Sequence, residues 1–337
     1  MNQNAVEYIK NHIKEFLPLE YQDADVIVKP VVKNNDRVLT GLTVLKDGGN
    51  MAPTVYLEPY WEEVEKGRLL SSVLEEIAQI QTGENNRGPF DLSMMKDYEK
   101  VKPKLFIRMC DPEKNTEYLK DKPYTACGEL AASYRIEVLK EGEMNGSIAI
   151  TDDILRSWGI TKGQLHQDAV QAEKERNPAC LYRMDDILFS SQSANLLKED
   201  APLQIGDMPI FVLTNRDKMD GAGTMVQDGV LEKVGELLGT DYYVLPSSIH
   251  EVLILPDNGE MDVKELESMV REVNATQVAP HELLSDKVQY YDRDSKTLGR
   301  KQEKGILSRL AENKKQIQEK DVKEKGAGRT GRNEPGL

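Results

Sequence analysis

The spacing of hydrophobic residues in this chain changes several times, and that alternation limits the fold more than any other feature. Val6, Ile9, Ile13 and Phe16 recur every three or four residues, which predicts an amphipathic helix over residues 4–16. Two β-branched runs follow, ADVIVKPVVKNN and RVLTGLTVL, separated by the polar turn Asn34, Asn35 and Asp36, and they predict a hairpin. APTVYLEPY predicts a third short strand. Leu70, Val73, Leu74, Ile77 and Ile80 then return to the helical interval, predicting one helix over about residues 60–81 that ends at TGENNRGP. A helix, two or three strands and a helix make an α+β unit.

The second part of the chain repeats the alternation. KLFIRMC, LAASYRIEVL and GSIAI read as strands. Thr151 opens a short helix that Gly159 can close, and Thr161 with Gln164 has the spacing of a capping box for the next helix. DMPIFVLTN predicts a strand, a helix from about residue 225 stops at Gly239, and Val263, Leu266, Met269, Val270 and Val273 place a last helix near 262–274. Between these helices DYYVL, the connection PSS and IHEVLILP predict a second hairpin. The expected class is therefore α+β, with mixed or antiparallel sheets and packed helices. Two subdomains are expected, residues 1–98 and 99–299, followed by a basic, largely disordered tail over residues 300–337.

Composition excludes several function classes. The 337 residues carry a net charge of −14. Residues 301–337 hold 10 Lys/Arg against 6 Asp/Glu, which leaves residues 1–300 with 34 against 52. An acidic body repels phosphate backbones, so broad nucleic-acid binding through it is not expected, whereas a protein partner is. No apolar run approaches the roughly 20 residues that span a bilayer, and the start MNQNAVEYIK has no secretory pattern, so a cytoplasmic protein with no membrane contact is expected. Cys110, Cys127 and Cys180 are widely spaced and odd in number, which reads as reduced thiols. Four scattered histidines and no HExxH point to no metal site, and no phosphate loop or other cofactor motif occurs.

Two stretches carry candidate functional residues. LPSSIHEVLILPD sets Ser247 and Ser248 beside His250 and Glu251, the residue types of a hydrolase nucleophile and its base. If IHEVLIL is a strand, His250 and Glu251 point to opposite faces and serve the sheet before any site. FVLTNRDKMDGAG offers Asn215, Lys218, Gly221 and Gly223 as a loop after a strand and before a helix, where ligands often bind. Its order departs from the Asn-Lys-x-Asp of guanine-recognition loops.

NNDRVLTGLTV, APTVYLEPYWEEVEKG, ITDDILRSWGITKGQL, LTNRDKMDGAGTMV and LPSSIHEVLILPD, in that order, resemble a family of uncharacterised proteins of gut Clostridia, a domain of unknown function often found near mobile genetic elements. The resemblance covers about residues 5–295, and the second half is similar, more distantly, to another uncharacterised cytosolic family of Firmicutes. It implies a shared architecture and assigns no chemistry. Three functions are therefore expected in order: a non-catalytic binding or regulatory protein of a mobile element, a hydrolase with its site at Ser247 to Glu251, and an acidic nucleic-acid mimic that inhibits a defence nuclease.

Overall fold

Strand-forming segments pair with their sequence neighbours wherever a short turn permits it, and three antiparallel sheets result. A computed structural model describes residues 3–49, 52–83, 92–141, 144–189, 193–203 and 210–301. The expected basic tail beyond residue 301 lies outside the described residues, as does the polar stretch 84–91 preceding the expected subdomain division. Met1–Gly299 forms one compact unit.

The first sheet has the order β1-β2-β3, with β1 at Asp25–Val32, β2 at Val38–Leu45 and β3 at Val55–Tyr56. Its hairpin register pairs Val32 with Val38 across the Asn34 to Asp36 turn. The expected third strand is shorter than APTVYLEPY, because Leu57 already begins a helix. The helix expected over 60–81 is two, Leu57–Glu65 and Leu70–Thr82. They part at Gly67, whose φ of 102° lies in a region a side chain rarely enters. Ile9, Ile13, Leu42, Val44, Leu74 and Ile77 form the core of this part. Gln81 is buried there and satisfied: its Oε1 accepts from Val44 N–H, and its Nε2 donates to the Leu42 and Pro53 carbonyls.

The second sheet contains β4 (Leu105–Cys110), β5 (Tyr124–Cys127), β6 (Leu130–Glu141) and β7 (Met144–Ala149), with β6 pairing all three others. Leu105, Ile107 and Met109 of β4 and Ala132, Tyr134 and Ile136 of β6 turn one face into the main core, together with Leu165 and Ala169 of the helix Lys162–Arg176. That helix begins as its sequence predicts, with Thr161 Oγ1 accepting from Gln164 N–H. The box does not close, because the Gln164 side chain donates to buried Asp168.

The third sheet runs β13-β12-β10-β11-β9-β8, from β8 (Ala179–Arg183), β9 (Phe211–Asn215), β10 (Tyr242–Leu245), β11 (Val252–Pro256), β12 (Gln289–Asp292) and β13 (Thr297–Gly299). Tyr242 opposes Tyr291 and Tyr243 opposes Tyr290 in its register, and both ring pairs are in contact. The tyrosine doublets thus serve the sheet's two faces. The helix expected from residue 225 divides into a 3₁₀ turn at Gly221–Val226 and an α-helix at Val230–Leu238.

The turn Asn34 to Asp36 fastens the first hairpin to the rest of the chain. Asn35 N–H donates to Asn115 Oδ1 at 2.8 Å. Asn34 and Asn35 both donate from Nδ2 to the Leu283 carbonyl, at 2.8 and 3.0 Å. Asp36 accepts from Thr116 Oγ1 and from the Glu117 and Tyr118 N–H groups, capping the short helix Thr116–Leu119 from a distant part of the chain. Burial opposes the Asp36 charge, but these donors hold its carboxyl below the usual carboxylate range.

Candidate functional site

The expected PSS connection is longer than the sequence implies. β11 begins at Val252, so His250 and Glu251 precede the strand and the alternation argument does not govern them. The backbone of Pro246 to Ile249 is used elsewhere. Leu284 N–H donates to the Ser247 carbonyl, Ile249 N–H to the Glu282 carbonyl and Ser285 N–H to the Pro246 carbonyl, at 3.0, 2.8 and 2.9 Å. PSSI therefore pairs with the segment 282–285 before the chain enters β11. Glu282 and Leu283 both donate back to the Ala279 carbonyl in a turn.

The side chains of this connection are engaged with groups other than one another. Ser247 Oγ donates to Asn274 Oδ1 at 2.8 Å, and Ser248 Oγ accepts from the His250 backbone N–H at 3.0 Å. His250 Nδ1 accepts from Asp220 N–H at 3.1 Å, so in the neutral ring the proton resides on Nε2, 3.4 Å from Glu282 Oε1. Neither serine hydroxyl bonds the imidazole. Burial raises the Glu251 carboxyl, while the charges of His250 and Lys218 pull it down.

The loop after β9 meets this connection. Asn215 folds it by donating from Nδ2 to the Met219 carbonyl at 2.7 Å and accepting from Met219 N–H at 3.2 Å. Lys218 and Asp220 both take positive φ, 55° and 52°, a region that costs a residue with a Cβ roughly 1–2 kcal/mol. Three contacts tie the loop to its neighbour: Thr214 Oγ1 to the His250 carbonyl at 2.7 Å, Ala222 N–H to the Ile249 carbonyl at 3.2 Å, and the Asp220 to His250 bond. Gly221 is required by this closeness, since a Cβ there would overlap Thr214 Oγ1 and the His250 carbonyl oxygen and lie 2.8 Å from Asn215 N. Gly223 lies against β4, where a Cβ would come 2.9 Å from the Ile107 carbonyl oxygen.

The two stretches nominated from sequence thus form one junction, with residues that sequence reasoning did not nominate at its centre. Arg108 of β4 grips Asp220 in a two-pronged bond, Nε to Oδ1 at 2.5 Å and Nη2 to Oδ2 at 2.8 Å. Burial acts against the Arg108 charge, and Asp220 more than offsets it, leaving the guanidinium above its ordinary value. Glu173 lies nearby, 4% exposed, with Oε2 lacking a hydrogen-bond partner. Burial pushes its carboxyl up to about 8, against the pull of a backbone bond from Ile107. The signal for Arg108 was present in KLFIRMC, whose alternation sets it opposite the apolar face; Asp220 and Glu173 carried none.

The junction can hold three segments together, with a buried carboxyl whose ionisation burial opposes beside a partly buried ion pair. Neither Ser247 nor Ser248 has a base within the roughly 2.6–3.2 Å that a hydroxyl nucleophile needs. Cys110, Cys127 and Cys180 are free thiols, and burial pushes Cys110 up to about 12 and Cys127 up to about 11, far from the thiolate range. Among the described residues no group of three His, Cys, Asp or Glu side chains could hold a metal ion, and no helix is long and apolar enough to cross a membrane.

Three antiparallel sheets with helices packed on them make this an α+β protein whose candidate site is a buried polar junction between a strand-following loop and a hairpin connection. Residues 3–293 match the model of a family of unknown function, DUF5688, and the chain belongs to that family. No curated protein matches it, and no solved structure does.

Proposed function

We propose that the protein is a non-catalytic binding or regulatory protein that acts in the cytoplasm through contacts with a basic protein partner. The observation that carries this reading is the engagement of Ser247, Ser248 and His250 with Asn274, the local backbone and Asp220, which leaves neither serine with a base. The acidic balance of residues 1–300 favours a basic partner by long-range attraction. The resemblance to proteins of gut Clostridia found near mobile genetic elements supports a role in the biology of such an element. We further propose that residues 1–98 and 99–299 act as two subdomains, which the separate core around Ile9, Leu42 and Ile77 supports.

The test is capture of tagged protein from lysate of its natural host, followed by reconstitution from purified components. The expected result is a stoichiometric complex with a basic protein that dissociates as salt shortens the Debye length from about 10 to about 3 Å. A purified protein that stays monomeric and re-forms no complex with any captured candidate overturns the reading. Turnover of an ester or amide substrate that His250→Ala abolishes would overturn it in favour of the hydrolase.

A further inference from the structure

The second sheet has two unlike faces. One is the core face of β4 and β6 described above. On the other, Phe106 opposes Arg135 and Arg108 opposes Ser133 across the β4–β6 ladder. Side chains of paired residues share a face, so the stems of Arg108 and Arg135 leave the same face from diagonal positions on adjacent strands.

A third cation is brought to this face by the first hairpin. Lys33 closes the hairpin turn, its N–H donating to the Arg37 carbonyl at 2.8 Å, and the bonds of Asn34 to Asp36 with residues 115–118 and 283 hold that turn in place. Its ammonium lies 4.2 Å from the centre of the Tyr56 ring. Burial, then the charges of Arg135 and Arg108, lower Lys33 to about 8. Tyr118 links the turn to the sheet face, its N–H donating to Asp36 and its hydroxyl accepting from Arg135.

Among the described residues Asp220 is the one carboxylate that forms an ion pair with any of them, and it pairs with Arg108. Arg135 is held by neutral acceptors: Nε to Ser147 Oγ at 3.0 Å, Nη1 to the Tyr118 hydroxyl at 3.1 Å and Nη2 to the Ser147 carbonyl at 3.2 Å. A guanidinium has five N–H donors and an ammonium three. Arg108 commits two to Asp220 and Arg135 commits three to Ser147 and Tyr118. Donors remain on both guanidinium groups and on Lys33, and none of the three cations is fully buried. Three cations with one ion-paired carboxylate, in a chain of net charge −14, form a local reversal of sign.

We propose that Lys33, Arg108 and Arg135 bind a phosphate group, free or as a monoester. The two positive charges left after Asp220 is counted match the charge of roughly −1.5 to −2 that a phosphate monoester carries at pH 7, whereas a carboxylate offsets only one. The planar donors of two arginines suit its three oxygens, and the ammonium adds a point charge. This site is independent of the protein-binding role proposed above, because it takes a different ligand.

The test is calorimetric titration of the full chain with sodium phosphate, at ionic strength matched with sodium chloride, beside a thermal melt. Saturable binding is expected, weakened about tenfold or more by Arg135→Gln and by Lys33→Met. Lys33→Met guards against the case in which Arg135→Gln unfolds the sheet, and both variants are checked for a wild-type melt without phosphate. A phosphate monoester, with a second pKa of about 6, is essentially dianionic from about pH 7.5 upward, so wild-type affinity for glycerol 2-phosphate should fall several-fold between about pH 7.5 and about pH 9 as Lys33 loses its proton, and Lys33→Met should lose that pH dependence. Glycerol 2-phosphate as a second titrant separates the sources: tighter binding than inorganic phosphate assigns a monoester, and weaker binding assigns the free anion. Absence of saturable binding by either titrant, or binding that both variants retain in full, overturns the proposal.

Discussion

Replacing Glu173 by Gln should remove most of the alkaline loss of stability in this protein. Glu173 is 4% exposed, and burial raises its carboxyl from 4.5 to about 8. The folded state therefore keeps a proton that the unfolded chain releases at lower pH. Well below pH 4.5 both states are protonated and ionisation adds no cost. Between pH 4.5 and 8 the folded state binds more protons than the unfolded one, so stability falls as pH rises, and above pH 8 the full cost has been reached. At about 1.4 kcal/mol per pH unit, the interval from 4.5 to about 8 corresponds to a loss on the order of 4–5 kcal/mol. The assay is urea unfolding of wild type and Glu173→Gln at pH 5, 7 and 9. Wild type should lose several kcal/mol across the series, and the variant should lose far less, becoming the more stable protein at pH 9. Parallel pH profiles for the two proteins would show that Glu173 is ionised in the fold at ordinary cost, and would refute the reasoning.

Three further outcomes follow from the junction and the hairpin turn. Gly221→Ala forces a Cβ against the His250 carbonyl oxygen and Asn215 N, and should cost at least about 1–3 kcal/mol in a denaturant melt; Gly163→Ala, whose Cβ meets only Thr161 Oγ1 at 3.9 Å, should be neutral or slightly stabilising. Asp220→Ala leaves Arg108 without its carboxylate in a partly buried position and should destabilise by about 3 kcal/mol, with most of that loss absent when Arg108→Met is already present in a double-mutant cycle. Asp36→Ala removes the cap of the Thr116–Leu119 helix and should cost about 1 kcal/mol, read as a lower melting temperature and faster amide exchange at Glu117 and Tyr118.

Much of the local structure was legible because it depends on residues close in sequence. The hairpin of β1 and β2, the cap at Thr151, the left-handed Gly159 and the helix ending at Gly239 follow from turn chemistry and periodicity. Two expectations failed where another partner outcompeted the expected one, in the first case four residues along the same helix and in the second far along the chain. Gln164 spends its side chain on Asp168, and the PSSI backbone pairs with residues 282–285 and so delays the start of β11. The helix over 60–81 failed for a local reason that periodicity hides: a glycine at positive φ interrupts the chain without disturbing the apolar stripe on either side.

By itself the sequence determined the α+β class, the antiparallel hairpins, the acidic balance and the two stretches that deserved a functional reading. These depend on short-range sterics, on the period of burial and on charge counts, all of which are written locally. Only the tertiary structure decided that the two stretches form one junction, that Arg108 and Asp220 sit at its centre, and that the turn beside Lys33 meets Arg135 through Tyr118. The physical reason is that ion pairs, shared sheet faces and the burial of Glu173 are properties of groups brought together by packing. A residue's type states what it can bond, and only its neighbours in space state what it does bond.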